Sequence, residues 1–115
     1  MTKKRLIKKQ PFENKSAIIC GASEGIGFAT AKEIVKLGGS VGIVARRQDK
    51  LDDAKAELER LKVDESQYIE TLSCDATDME NLKPLIEEFI EKNEVPNYLI
   101  NVVGIEAIIF GGGII

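Results

Sequence analysis

The sequence predicts a doubly wound α/β unit, a parallel sheet with helices on both faces. Three observations carry that expectation. Short apolar runs alternate with longer segments of helical periodicity. The runs are apolar throughout rather than at every second residue, as strands buried on both faces must be. A glycine-rich turn joins the first run to the first helical segment.

Ser16 to Cys20 (SAIIC) and Ser40 to Ala45 (SVGIVA) are short, branched and apolar, and read as buried strands. Between them Ile26, Ala29, Ile34 and Leu37 recur at near-helical spacing, and Gly38-Gly39 is a helix stop. Asp49 to Lys62 sets Leu51, Ala54, Leu58 and Leu61 against Lys55, Glu57, Glu59 and Arg60, the pattern of an amphipathic helix. Gln67 to Cys74 reads as a third strand. Thr77 with Glu80 suggests a capping box for a third helix that buries Leu82, Leu85, Ile86, Phe89 and Ile90, with Pro84 near its first turns. After Pro96, residues 97 to 103 (NYLINVV) read as a fourth strand. The order βαβαβαβ implies right-handed crossovers within one parallel sheet.

Composition narrows the chemistry. The 115 residues, 43% apolar and 30% charged, suit a single domain with a core. Histidine and tryptophan are absent, which excludes histidine triads and histidine-rich metal sites, and no metal is expected. The net charge of -3 is uneven. Lys3, Lys4, Arg5, Lys8, Lys9 and Lys15 against Glu13 give residues 1 to 15 a charge of +5, and the rest of the chain carries -8. That segment reads as a solvated basic arm, with no nucleic-acid partner expected. Cys20 and Cys74 follow no secretory signal, so reduced thiols and a cytoplasmic location are expected, with the cytosolic face of the endoplasmic reticulum as the alternative.

The sharpest chemical signal is Gly21-Ala-Ser-Glu-Gly25-Ile-Gly27. One glycine permits a tight turn, one lets the backbone approach a pyrophosphate, and one lets the helix pack closely on the sheet. The helix N-terminus then offers N–H groups and its dipole to phosphates. Set between a strand and a helix, this is a Rossmann-type dinucleotide loop, for which Gly21, Ser23, Glu24, Gly25, Ile26 and Gly27 are candidate binding residues. Arg46 ends the second strand, where an acidic residue would hold a ribose 2′-hydroxyl and an arginine accommodates a 2′-phosphate. Ser23 and Lys50 add polar groups to the same pocket, although Lys50 is equally readable as a solvated first-turn side chain. Arg47 reads as a surface residue. NADP(H) is therefore the expected cofactor.

The spacing Gly-x-x-x-Gly-x-Gly, with Cys74-Asp75-Ala76-Thr77 and Asn101-Val-Val-Gly104, resembles the short-chain dehydrogenase/reductase family over residues 15 to 104. The resemblance implies a Rossmann-type sheet in strand order 3-2-1-4, truncated here. It also implies that Asp75, beside Ala76, hydrogen-bonds the adenine amino group, and that Asn101 and Gly104 brace the sheet beside the cofactor. Asp75 is alternatively a cap for the helix that follows. The Ala45-Arg46-x-x-x-Lys50-Leu51 run is most similar to 3-ketosphinganine reductases, which implies NADPH-dependent reduction of a lipid-like ketone.

The departures are specific. Cys20 stands for threonine before the loop, and Val102 and Val103 stand for Asn-Ala, so that a branched side chain where alanine is expected would crowd the cofactor. The family's catalytic pair is Tyr-x-x-x-Lys, but Tyr68 and Tyr98 are followed at that spacing by Leu72 and Val102, so no catalytic residue is assigned. Residues 105 to 115 form an apolar tail too short to span a bilayer. Two readings result: the cofactor-binding part of an NADP-dependent reductase, inactive by itself, or a non-catalytic nucleotide-binding module that offers an open fourth-strand edge to a partner. Substrate and oligomeric state are not encoded in the motifs.

Overall fold

A computed structural model describes residues 10–102 and the backbone of residues 106–109. The elements in chain order are β1 (Ser16–Cys20), α1 (Gly25–Lys36), β2 (Ser40–Ala45), α2 (Gln48–Leu61), β3 (Ile69–Ser73), α3 (Met79–Lys92), β4 (Tyr98–Asn101) and β5 (Glu106–Ile109). The sheet order is β3-β2-β1-β4-β5. The first four strands are parallel, in the expected order 3-2-1-4. β5 returns antiparallel along β4, with Asn101 opposite Glu106 and Tyr98 opposite Ile109. The fourth-strand edge expected to lie open is therefore flanked by β1 on one side and β5 on the other. An antiparallel neighbour requires only a short connection, whereas another parallel strand would require a crossover.

Strand pleating divides the core into two layers. Ala17, Ile19, Val41, Ile43, Ile69 and Tyr98 face α1 and α2, where they meet Ala31, Ile34, Val35, Leu51, Ala54 and Leu58. Ile18, Cys20, Val44 and Leu72 face α3, which contributes Leu82 and Phe89. The Phe89 ring lies over Gly42, where a Cβ would come within 2.9 Å of it. Leu85, Ile86 and Ile90, expected to be buried, are half-buried at the margin of this layer.

Helix α1 is rotated relative to the sequence expectation. Its buried face is Gly27, Ala31, Ile34 and Val35, while Ile26 is 74% exposed and Ala29 also faces solvent. The cause is steric. A Cβ at Gly27 would fall on the Gly21 carbonyl oxygen and within 2.8 Å of its carbon, so the helix can rest on the end of β1 only along its side-chain-free edge. That choice of face turns Ile26 outward.

Three junctions also differ. The cap of α3 is Asp78, whose Oδ1 accepts from the Asn81 N–H, rather than a Thr77-Glu80 box. Thr77 instead donates its hydroxyl to Asp75. Residues 1–9 of the expected basic arm lie outside the described residues, and within 10–15 the Phe12 N–H donates to the Leu37 carbonyl and the Phe12 ring meets Tyr98 edge-on at 6.0 Å. Gln67, expected in β3, lies just ahead of that strand and is buried. Its oxygen accepts from the N–H groups of Val63 and Asp64, and its amide donates to the carbonyls of Val35 at 2.9 Å and Gly39 at 2.7 Å. One side chain thereby bonds backbone groups from three segments and ties the α2–β3 loop to the end of α1 and the turn after it; the Val35 carbonyl also accepts from the Gly38 N–H at 3.1 Å.

Truncating that clip removes four hydrogen bonds at once and takes the buried amide's bond from the Gly39 carbonyl. Gln67→Ala is expected to lower the unfolding free energy by about 3 kcal/mol, against less than about 0.5 kcal/mol for the exposed Glu65→Ala, both measured by urea titration. Gly27→Ala is expected to cost about 1–3 kcal/mol in the same titration, because backbone rather than a yielding side chain opposes the new methyl.

Candidate functional site

In a parallel sheet every strand ends on the same side, so the turns after β1, β2 and β3 converge at one edge. They enclose an open cleft of about 550 Å³. Gly21, Ser23 and Glu24 line it from the β1–α1 turn, and Ala45, Arg46, Arg47 and Lys50 from the β2–α2 turn. Cys74, Asp75, Ala76 and Thr77 line it from the β3–α3 turn. The turns are anchored to neighbouring strand ends. The N–H groups of Gly21 and Ala22 donate to the Val44 carbonyl at 2.8 and 3.2 Å, and that of Cys74 donates to the Ala45 carbonyl at 2.8 Å.

The N-terminus of α1 is open. Glu24 occupies the cap position with extended backbone and gives no side-chain cap, and the first turn holds no acidic residue. Its N–H groups and the positive end of the helix dipole are therefore available to an anion. Gly25, with φ of +64°, turns the chain into the helix, and a Cβ there would meet nothing within 4 Å. Backbone conformation, not space, calls for glycine at that position.

The charged groups differ in commitment. Arg46 and Lys50 make no ion pair among the described residues. The Arg46 carbonyl accepts from the Ser73 hydroxyl at 3.1 Å, which fixes the backbone at the strand end. Arg47 pairs with Asp49 through both Nε and Nη2. Asp75 accepts from the Thr77 N–H at 2.9 Å and the Thr77 hydroxyl at 2.7 Å, both on Oδ1. Those two bonds hold its carboxyl below the ordinary aspartate value, with a smaller contribution from Arg46. Since Asp78 caps α3, Asp75 is not that helix's cap. Cys20 is buried, and burial pushes its thiol up, with Cys74 adding to the shift.

Seven of the candidate residues, Gly21, Ser23, Glu24, Arg46, Lys50, Asp75 and Ala76, thus line one cleft. Gly25, Ile26 and Gly27 shape its first turn without lining it. Asn101, half-buried beside Cys20 in β4, stands apart from the cleft, and Gly104 and Val103 lie outside the described residues. Val102, at the Asn position of the motif, packs half-buried against the layer under α1 and α2. Ala45, Arg47, Cys74 and Thr77 also line the cleft and are not among the expected binding residues: Arg47 is expected at the surface and Thr77 in a cap, and Ala45 and Cys74 carry no signal beyond adjacency to Arg46 and Asp75. Among the described residues no group of three or more acidic or thiol side chains could hold a metal, and no helix is long and apolar enough to cross a membrane.

Comparison with known proteins gives this geometry a family. The family model of short chain dehydrogenases matches residues 15–111. The PIGF/3-ketodihydrosphingosine reductase fusion protein of Schizosaccharomyces pombe is 41% identical over 75 residues, which cover 65% of this chain and 15% of that protein. The 3-dehydrosphinganine reductase of Danio rerio is 32% identical over 102 residues, covering 86% of this chain and 31% of that one. A solved short-chain type dehydrogenase/reductase from Mycobacterium ulcerans superposes with a TM-score of 0.73 at 26% identity, over 79% of this chain and 33% of that chain. L-sorbose reductase from Gluconobacter frateurii, solved with NADPH and L-sorbose, gives 0.71 at 25% identity, over 81% and 34%. This chain spans about a third or less of the length of these relatives. On the family match and the shared fold, the chain belongs to the short-chain dehydrogenase/reductase family.

Proposed function

We propose that this chain binds NADP(H) as the cofactor-binding part of a ketone reductase of its family. The observation that carries the reading is the pair of uncommitted cations, Arg46 and Lys50, on the cleft at the end of β2. An exposed guanidinium that makes no ion pair among the described residues suits a 2′-phosphate, to which it donates in bidentate, charge-assisted fashion. A hydroxyl-holding carboxylate is what an unphosphorylated ribose would ask for, and the strand end carries none.

The remaining groups fit the same ligand. The open N-terminus of α1, set at the end of β1 by the close packing of Gly27 on Gly21, suits a pyrophosphate. Asp75, ionised throughout the neutral range and with Oδ2 free of hydrogen bonds among the described residues, accepts from the adenine amino group. Ser23 stands half-buried in the wall of the cleft and offers its hydroxyl to a phosphate oxygen. The cofactor supplies hydride chemistry, and these residues bind and orient it. The likeness to 3-ketosphinganine reductases favours a lipid-like ketone as substrate. No Tyr-x-x-x-Lys pair occurs within the 115 residues, so no group in them is positioned by that motif to protonate a carbonyl oxygen.

Fluorescence titration tests the cofactor. The unmodified chain is expected to bind NADPH more tightly than NADH, and Arg46→Asp to weaken NADPH by at least about tenfold, the scale of a lost charge-assisted bond. Equal affinity for the two in the unmodified chain defeats the reading. The pH dependence has a defined sign. Because the folded Asp75 carboxyl lies below the ordinary 3.8, it adds no pH dependence above about 5: affinity for NADH, which has no 2′-phosphate, should stay flat between about pH 7 and 5, whereas affinity for NADPH should fall through about pH 6 as its phosphate monoester takes up a proton. Asp75→Ala should weaken NADPH and NADH alike, since both carry the adenine.

A further inference from the structure

The three cations on the β2–α2 side of the cleft are not equivalent. Arg46 and Lys50 are uncommitted, whereas Arg47 donates through Nε to Asp49 Oδ1 at 3.2 Å and through Nη2 to Oδ2 at 2.7 Å. Two of its five donors are thereby occupied, and its charge is cancelled at close range. Burial does not enforce the pair, because the two side chains are 67% and 65% exposed. Sequence geometry does. Arg47 is the cap residue of α2 and Asp49 lies in its first turn, where the helix dipole favours a carboxylate. Arg47 nevertheless lines the cleft beside Arg46. A second guanidinium thus stands at the candidate phosphate site with its charge already spent on a neighbour that is not part of the cleft wall.

We propose, on the reading of this cleft as a 2′-phosphate site, that Asp49 sets the degree of cofactor selectivity by withholding Arg47 from that phosphate. Asp49 is a positioning residue that acts through Arg47 and does not touch the dinucleotide. With the pair closed, Arg46 and Lys50 alone distinguish the phosphorylated from the unphosphorylated ribose. With Asp49 neutral, Arg47 becomes a third free cation at the same phosphate. NADH, which lacks the phosphate, gains nothing from the release.

A double-mutant cycle on the full chain tests this at 0.15 M salt, where charges more than about 8 Å apart are largely screened. Asp49→Asn is expected to tighten NADPH about two- to fivefold, the range for an exposed ion pair, with NADH unchanged. Arg47→Ala alone should change NADPH affinity less than twofold, because that side chain is withheld. Asp49→Asn should give no gain in the Arg47→Ala background. A gain of the same size in both backgrounds, a gain shared by NADH, or no gain at all overturns the inference. The unmodified chain separates the two levels of argument. Binding of NADPH in preference to NADH with a flat cycle removes only the role of Asp49, whereas binding of neither dinucleotide removes the 2′-phosphate reading and this inference with it.

Discussion

The close approach of Gly27 to the Gly21 carbonyl is the constraint on which the rest of the molecule depends. Side chains normally keep a helix and a strand well apart. Here the first turn of α1 lies directly on the end of β1, so its open N–H groups stand at the strand end instead of some distance beyond it. The parallel sheet then does the rest. β2 and β3 end within a residue of the level of β1, and the turns that follow β1 and β3 are held in place by the bonds from Gly21 to Val44 and from Cys74 to Ala45. The cleft is the space bounded by that alignment. It depends on backbone geometry before it depends on any charged side chain.

Much of this was legible in the sequence because it rests on local patterns. The strands 16–20 and 40–45 are bounded by glycine and by charge, and their limits agree with the structure to the residue. What was not legible rests on contacts between distant segments. The rotation of α1 could not be read from periodicity, since a hydrophobic count ranks Ile26 above Gly27 while the steric requirement of the sheet reverses them. Gln67 looks like an ordinary strand residue, because the carbonyls it bonds lie 28 and 32 positions away. The Thr77-Glu80 spacing suggested a cap, but Asp78, one residue on, takes that role, and Thr77 serves Asp75 instead.

At the candidate site the residue types were legible and their commitments were not. Arg46, Arg47 and Lys50 are all basic and close in sequence, so composition ranks them together. Only coordinates separate a guanidinium already engaged by a carboxylate from one that is not. The same holds for Asp75, whose hydrogen bonds to Thr77 draw on one oxygen and leave the other unused among the described residues. Because these groups are exposed, their electrostatics are screened, and placement matters more than charge count.

The Gln67 clip has a consequence for motion. Val63 and Asp64 lie beyond the end of α2, in a stretch whose backbone N–H groups would ordinarily exchange with solvent as readily as those of any surface loop. Their donors are held instead by a buried amide oxygen whose own nitrogen is anchored to the α1–β2 turn. Deuterium should therefore enter these two positions more slowly than at the exposed Glu65 beside them, at a rate set by release of the Gln67 amide from the end of α1 and the turn after it. That makes a loop in the middle of the chain a reporter on the contact between the α2–β3 connection and the α1–β2 turn.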